Sequence, residues 1–237
     1  MNLDFSQLQA PEGPVVELTG ATLPLLPAYD VGLESVDLTV EKGALVMILL
    51  EHGAQDHPLA DVVSGLVQLE EGRVRIFGGE WRLWNPDQQA KARWRIGRVF
   101  NGHGWMSNLD VDENVTLAER HHGQRALAGI TEEMTMWARL VGLEAIPFTR
   151  PSVTDREELR RSEWVRAALG NPWLLLLERP GRELADGWLS DLAPLVHRLR
   201  TAGAAVIWLA ESDEEWGDDS LNASLKLRAE DNKLFPV

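Results

Sequence analysis

Ala44-Leu45-Val46-Met47-Ile48-Leu49-Leu50 is apolar at every position. A strand with one wet face alternates apolar and polar residues, so this run predicts a strand covered on both faces, as in a parallel sheet sandwiched between layers. Trp173-Leu174-Leu175-Leu176-Leu177 and Ala204-Ala205-Val206-Ile207-Trp208-Leu209 repeat the pattern further along the chain. Between these runs lie stretches with helical periodicity. Residues 58–66 start on a proline, which suits a first helical turn because its missing N–H has no partner there. Further helices are expected over 85–94, 114–121, 131–143, 155–169 and 185–201, with Gly170-Asn171-Pro172 stopping the fourth before the second buried strand.

Working outward, Val15-Val16-Glu17-Leu18-Thr19-Gly20 and Val36-Asp37-Leu38-Thr39-Val40 alternate with period two, and Glu41-Lys42-Gly43 turns the chain into the first buried run. This predicts antiparallel strands preceding the parallel ones. Gly72-Arg73-Val74-Arg75-Ile76-Phe77 and Ile96-Gly97-Arg98-Val99-Phe100 read as short strands. Residues 223–228 and 233–235, around Glu230-Asp231-Asn232, read as a closing hairpin. The expected fold class is α/β.

Composition narrows the function. The 237 residues, 44% hydrophobic, can bury one sizeable core, and one domain over 1–237 is expected. No apolar stretch is long enough for a membrane helix, and the first residues lack the basic and apolar regions of a secretory leader, so a cytoplasmic protein is expected. With no cysteine there are no disulfides or thiolate metal sites. A net charge of −14 argues against nucleic acid, whose binding needs clustered Lys and Arg. Ten tryptophans against one tyrosine are read first as core filling.

The order of these landmarks, from about residue 14 to 237, resembles the nucleotide-binding domain of ABC transporters. Four stretches carry the resemblance: 36–46 (VDLTVEKGALV), Ser64-Gly65-Leu66 with 71–78 (EGRVRIFG), 96–101 (IGRVFN) with 109–115 (LDVDENV), and 168–180 (ALGNPWLLLLERP). Residues 107–122 are similar to ATPases of the lipid-trafficking Mla/Mce class. The resemblance implies a P-loop NTPase-like core with an antiparallel β subdomain, over about 14–101 and 166–237, and a helical subdomain over about 102–165.

It also sets expectations for the site. A phosphate loop uses glycines, a lysine and a Ser/Thr hydroxyl at a helix N-terminus. Aligned by the flanking strand and helix, Leu50, Gln55, Asp56 and His57 take its fixed positions, and only Gly53 keeps a family glycine. Glu178 stands where the family's magnesium-binding aspartate is found, and Arg179 replaces the catalytic glutamate. Arginine cannot act as a base. Asn101 replaces the glutamine that senses the γ-phosphate, and Glu211 the switch histidine. The signature loop aligns with Asp155-Arg156-Glu157-Glu158-Leu159, and Tyr29 lies near the place of the aromatic that stacks on adenine.

Exchanging a cation for Asp56 reverses a sign. At 4 Å a unit pair is worth about 4 kcal/mol at an effective dielectric near 20, so the reversal rivals the roughly 8 kcal/mol of a micromolar ligand. The expectations are therefore a pseudo-ATPase: not an enzyme, no cofactor, no catalytic residue and no resident metal. It would be a structural or regulatory subunit of a transport system, peripheral at the inner membrane face through a partner. That partner would be a membrane subunit or a second ATPase subunit, and a dimer is allowed. Trp105, Met106 and Leu109, just beyond the glutamine position, are the candidate contact with a membrane subunit.

The alternative is a soluble interaction or ligand-binding module that kept the fold but not ATP, with His52, His57 and Glu178 as a candidate divalent-metal set. His121-His122 and the run Asp213-Glu214-Glu215 are expected on solvated surface.

Overall fold

The computed structural model describes residues 12–50, 56–102, 104–122 and 125–236. Among these, Val16–Leu23 (β1) pairs antiparallel with Leu33–Val40 (β2) and with Glu71–Ile76 (β4) in a three-stranded sheet. The alternation of β2, with Leu33, Val36, Leu38 and Val40 buried, is the pattern of a sheet with one covered face. The second sheet has six strands in the order β5-β6-β7-β3-β8-β9. These are Ile96–Val99 (β5), Leu174–Glu178 (β6), Ala205–Ala210 (β7), Leu45–Leu49 (β3), Leu225–Glu230 (β8) and Lys233–Pro236 (β9). Every pairing in it is parallel except the closing hairpin β8–β9.

The apolar runs are explained by two hydrophobic layers. Leu45, Met47, Leu175, Leu177, Val206 and Trp208 face one layer, which is completed by the helices. Val46, Ile48, Leu174, Leu176, Ile207 and Leu209 face the other, which the antiparallel sheet covers. Neither face of the central strands meets water. Trp81, Trp84, Trp137, Trp164, Trp208 and Trp216 are buried in these layers.

The helices are Leu59–Val63 (α1), Pro86–Trp94 (α2), Val111–His122 (α3), Leu127–Leu140 (α4), Arg156–Ala168 (α5), Leu189–Thr201 (α6) and Asp213–Gly217 (α7). The first is shorter than its sequence suggests, because Gly65 turns left-handed (φ 67°) against the Trp81 ring. The helix expected from 185 begins only at 189, after Gly187 at φ 90°. Helix α5 packs directly on β5. A Cβ at Gly97 would stand 1.9 Å from the carbonyl oxygen of Ala167, so only glycine permits this approach. No helix among the described residues is long and apolar enough to cross a membrane.

Candidate functional site

The parallel strands β3, β5, β6 and β7 deliver their C-terminal ends to one edge, where an α/β sheet places its ligand crevice. Arg98, mid-strand on β5, is the centre of that edge. Its Nε donates to Glu178 Oε1 at 2.5 Å and its Nη1 to Asp61 Oδ1 on α1 at 2.6 Å. Asp61 also accepts from the Tyr29 hydroxyl at 2.7 Å, so an unbroken chain runs Tyr29–Asp61–Arg98–Glu178. Burial raises the Glu178 pKa and Arg98 opposes that shift. The Tyr29 hydroxyl is likewise pushed up, by burial and by the hydrogen bond to Asp61.

A second chain lies beside the first. Asn101 Nδ2 donates to Asp56 Oδ1 at 2.7 Å, while Arg182 Nη1 donates to the Asn101 carbonyl at 3.0 Å. Arg179 reaches Asn101 Oδ1 at 3.5 Å and forms an ion pair with Glu211. The segment before β2 is stitched on as well, since the Asp30 amide donates to the Asp56 carbonyl and the Asp56 amide to Asp30 Oδ2.

These contacts qualify the electrostatic expectation in part. Glu178 and Asp61 share the Arg98 guanidinium and Glu211 pairs with Arg179, whereas Asp56 is exposed and accepts from the Asn101 side chain, a neutral amide that cancels no charge. Acids paired with guanidinium groups project little net field. The sequence alone reveals the acids but not their partners, which come from other strands. Arg98 was missed. Its signal is a lone cation inside an otherwise apolar strand.

Other candidate residues also land differently. Gly53, His52 and Gln55 lie outside the described residues. His57 is buried: its Nδ1 accepts from the Leu59 amide at 3.0 Å, and its Nε2 has no hydrogen-bond partner. No group of three metal-capable side chains occurs among the described residues. A magnesium ion in the family's place fits poorly, because Glu178 is already committed to Arg98. Asp155 caps α5, accepting from the amides of Glu157 and Glu158, so it serves the helix and not an anion.

Trp105 is half-buried against the helical layer, under the Arg166 guanidinium at 4.5 Å, and Leu109 is also part-buried. Only Met106 of that trio is exposed, at 48%. The buried Asn114 side chain holds this loop, accepting from the Met106 amide and donating to its carbonyl. His121 is exposed, but His122 stacks on Trp94 at 4.7 Å. Glu215 is not surface: it is buried, accepts from Trp208 Nε1 and from the Glu211 amide, and is pushed up to about 7 by burial.

Burial holds His57 at a pKa of about 4. The unfolded chain takes up this proton below about pH 6.5 and the folded chain does not, so His57 favours folding fully above that pH. The contribution is lost as pH falls toward 4, by on the order of 3 kcal/mol. Denaturant unfolding at pH 7 and pH 4 should therefore show a smaller acid loss in His57→Asn than in the parent; equal losses would contradict the assignment.

No protein-family model matches the chain. Curated proteins similar to it are ABC transporter ATP-binding subunits. The ribose import ATP-binding protein RbsA of Clostridium perfringens is 24% identical over 187 residues, covering 77% of this chain and 37% of the relative. The ergothioneine transport ATP-binding protein EgtV of Helicobacter pylori is 23% identical over 193 residues, covering 81% and 88%. The chain spans little over a third of the length of the ribose and xylose import relatives, at 37%.

Among solved structures, a dimeric bacterial ABC transporter cassette has a TM-score of 0.78 at 19% identity, covering 92% of this chain and 96% of the cassette. The same cassette in a post-hydrolysis state with ADP and phosphate matches equally well. The fold is that of an ABC ATPase domain, as the order of landmarks implies. The expectation that the chain is not an enzyme is overturned: its relatives are ATP-binding import and transport proteins, and a cassette of its fold is seen with hydrolysis products.

Proposed function

We propose that this chain is the ATP-binding subunit of an ABC-type transport system, an ATPase slowed by a site that carries its own arginine in place of the usual lysine and metal. The observation that carries this reading is the Tyr29–Asp61–Arg98–Glu178 chain at the edge where a parallel sheet takes its ligand. Arg98 places a guanidinium between Glu178 and Asp61 at the strand ends, and the substitution at residue 179 removes the carboxylate expected there. Loss of a general base slows a reaction by roughly 10²–10⁴-fold without abolishing it. Such a subunit fits a regulatory share in a transporter, sitting peripherally at the inner membrane face against a membrane subunit or a second ATPase subunit. Met106 is the exposed apolar residue at the loop proposed for that contact.

The test is phosphate release and ATP binding by the purified chain, with magnesium and with excess chelator. Turnover is expected to be measurable, to fall short of an intact cassette by the factor above, and to drop less on chelation than an intact cassette does. No binding at millimolar ATP, or turnover at the full rate of an intact cassette, would overturn the reading.

A further inference from the structure

The loop between β1 and β2, residues 24–32, reaches from the antiparallel sheet to the edge where the parallel strands end. Its base is closed by the pairing of Leu23 with Leu33 and by Gly32, where a Cβ would stand 2.9 Å from the Leu23 carbonyl oxygen. Its tip, residues 25–28, is exposed, so apolar burial does little to hold it down. Polar contacts hold it instead. The Tyr29 hydroxyl donates to Asp61 Oδ2 at 2.7 Å, the Asp30 amide to the Asp56 carbonyl at 2.9 Å, and the Asp56 amide to Asp30 Oδ2 at 3.0 Å.

The last of these contacts has the form of ligand binding. A phosphate loop grips its ligand through backbone N–H groups, and Asp56 stands at the position that the resemblance gives to the lysine of that loop. Its amide is taken by a carboxylate of the chain itself. A carboxylate oxygen is an anionic acceptor, as a phosphate oxygen is, and a hydrogen bond to it is stronger than one to a neutral group. Asp30 also brings a second acid to residue 56, whose own carboxylate meets only the neutral side chain of Asn101.

We infer that residues 24–32 form an autoinhibitory strap, in which the Asp30 carboxylate holds the Asp56 amide in place of a nucleotide phosphate and Tyr29 latches the strap to Asp61. The inference deepens the proposed function and rests on it, adding competition for the site to slow chemistry. A phosphate reaches the amide when the strap lifts, which breaks both contacts to residue 56 and the latch. The Asp30–Asp56 contact is exposed and the latch part-buried, while Leu23 and Leu33 at the base are buried, so the strap lifts without opening either hydrophobic layer. Nucleotide affinity is then reduced by the fraction of molecules in which the strap is closed.

The experiment is titration calorimetry of the full chain with magnesium-ATP and, separately, with inorganic tripolyphosphate. The parent is compared with D30A and Y29F, with a thermal melt to confirm folding. D30A removes the competing acceptor; Y29F removes the latch while keeping the ring and the net charge. D30A is expected to tighten both ligands about tenfold or more, and Y29F both about threefold or more. A folded D30A within about twofold of the parent overturns the strap. So does a gain for ATP that tripolyphosphate does not share, or a gain in D30A with a folded Y29F unchanged, which marks a general effect of lost charge. In each of these cases a parent that binds ATP leaves the slow ATPase standing. If one variant does not fold, the other carries the test at the same threshold. Binding by the variants and not by the parent supports the strap and counts against the slow ATPase; no binding by any of the three chains removes the functional reading, and this inference with it.

Discussion

Arg160→Met is expected to lower the unfolding free energy by roughly 3–5 kcal/mol at pH 8. Arg160 and Glu163 are both fully buried, one turn apart on α5, with Nη1 to Oε2 at 2.5 Å. The same guanidinium donates to the carbonyls of Phe100 at 3.0 Å and Arg182 at 3.3 Å. Removing it takes from the buried carboxyl the nearer of two guanidinium groups, Arg166 standing 4.0 Å away, and takes this donor from two carbonyls; buried polar groups that lose a partner cost about 1–3 kcal/mol each. The carboxyl can relieve part of this by protonation. Burial already holds Glu163 up at about 7, against the pull of Arg160 and Arg166.

A raised carboxyl pKa means that the folded chain binds this proton between about pH 4.5 and 7 and the unfolded chain does not. Stability from Glu163 is thus greatest at the acid end of that window and falls as pH rises through it. The Arg160→Met loss should therefore be smaller at pH 6 than at pH 8. Adding Glu163→Leu should recover much of the deficit, since a buried pair exchanged for apolar groups is often neutral. Urea unfolding of the single and double variants at both pH values reads all of this; a single-variant loss below 1 kcal/mol at pH 8 would contradict it.

Arg98→Met should have a comparable effect on stability and a different one on chemistry. Its side chain, 10% exposed, bridges Glu178 and Asp61 across three elements, β5, β6 and α1. Glu178 is the costly orphan, because it is buried at the strand end, whereas Asp61 is a quarter exposed and keeps the Tyr29 hydroxyl. A loss of about 3 kcal/mol is expected, and the cycle with Glu178→Leu should show a coupling of about 1–3 kcal/mol. In nucleotide assays the same variant frees a carboxylate of the type magnesium prefers. ATP binding should then become more dependent on magnesium than in the parent. A variant with parent-like stability, or with no change in its response to chelator, would show that Arg98 is not the site's internal cation.

Much of the architecture was legible in order and spacing. The all-apolar runs at 44–50, 173–177 and 204–209 read as strands covered twice, and they are β3, β6 and β7 at the centre of the parallel sheet. Period-two alternation before Gly43 gave the antiparallel strands, and the polar turn at 230–232 the closing hairpin. Helix extents were less legible. Leu59–Val63 stops early because Gly65 sits against Trp81, and Leu189–Thr201 starts late after a left-handed Gly187, both effects of packing and backbone conformation that periodicity does not carry.

Sequence by itself determined which layers the chain would form, because burial on two faces, one face or one helical stripe leaves a periodic mark on the residues that make it. The resemblance to a known family assigned residues 56, 101, 178, 179 and 211 to that family's site positions. Only the tertiary structure decided their charge state as a group. Arg98 stands 80 residues from Glu178 and 37 from Asp61, and Arg179 stands 32 from Glu211. Coulombic energy depends on distance in space, to which separation along the chain is no guide, so Glu178 and Glu211 become members of ion pairs once the strands are laid side by side, while Asp56 meets only the neutral Asn101 side chain.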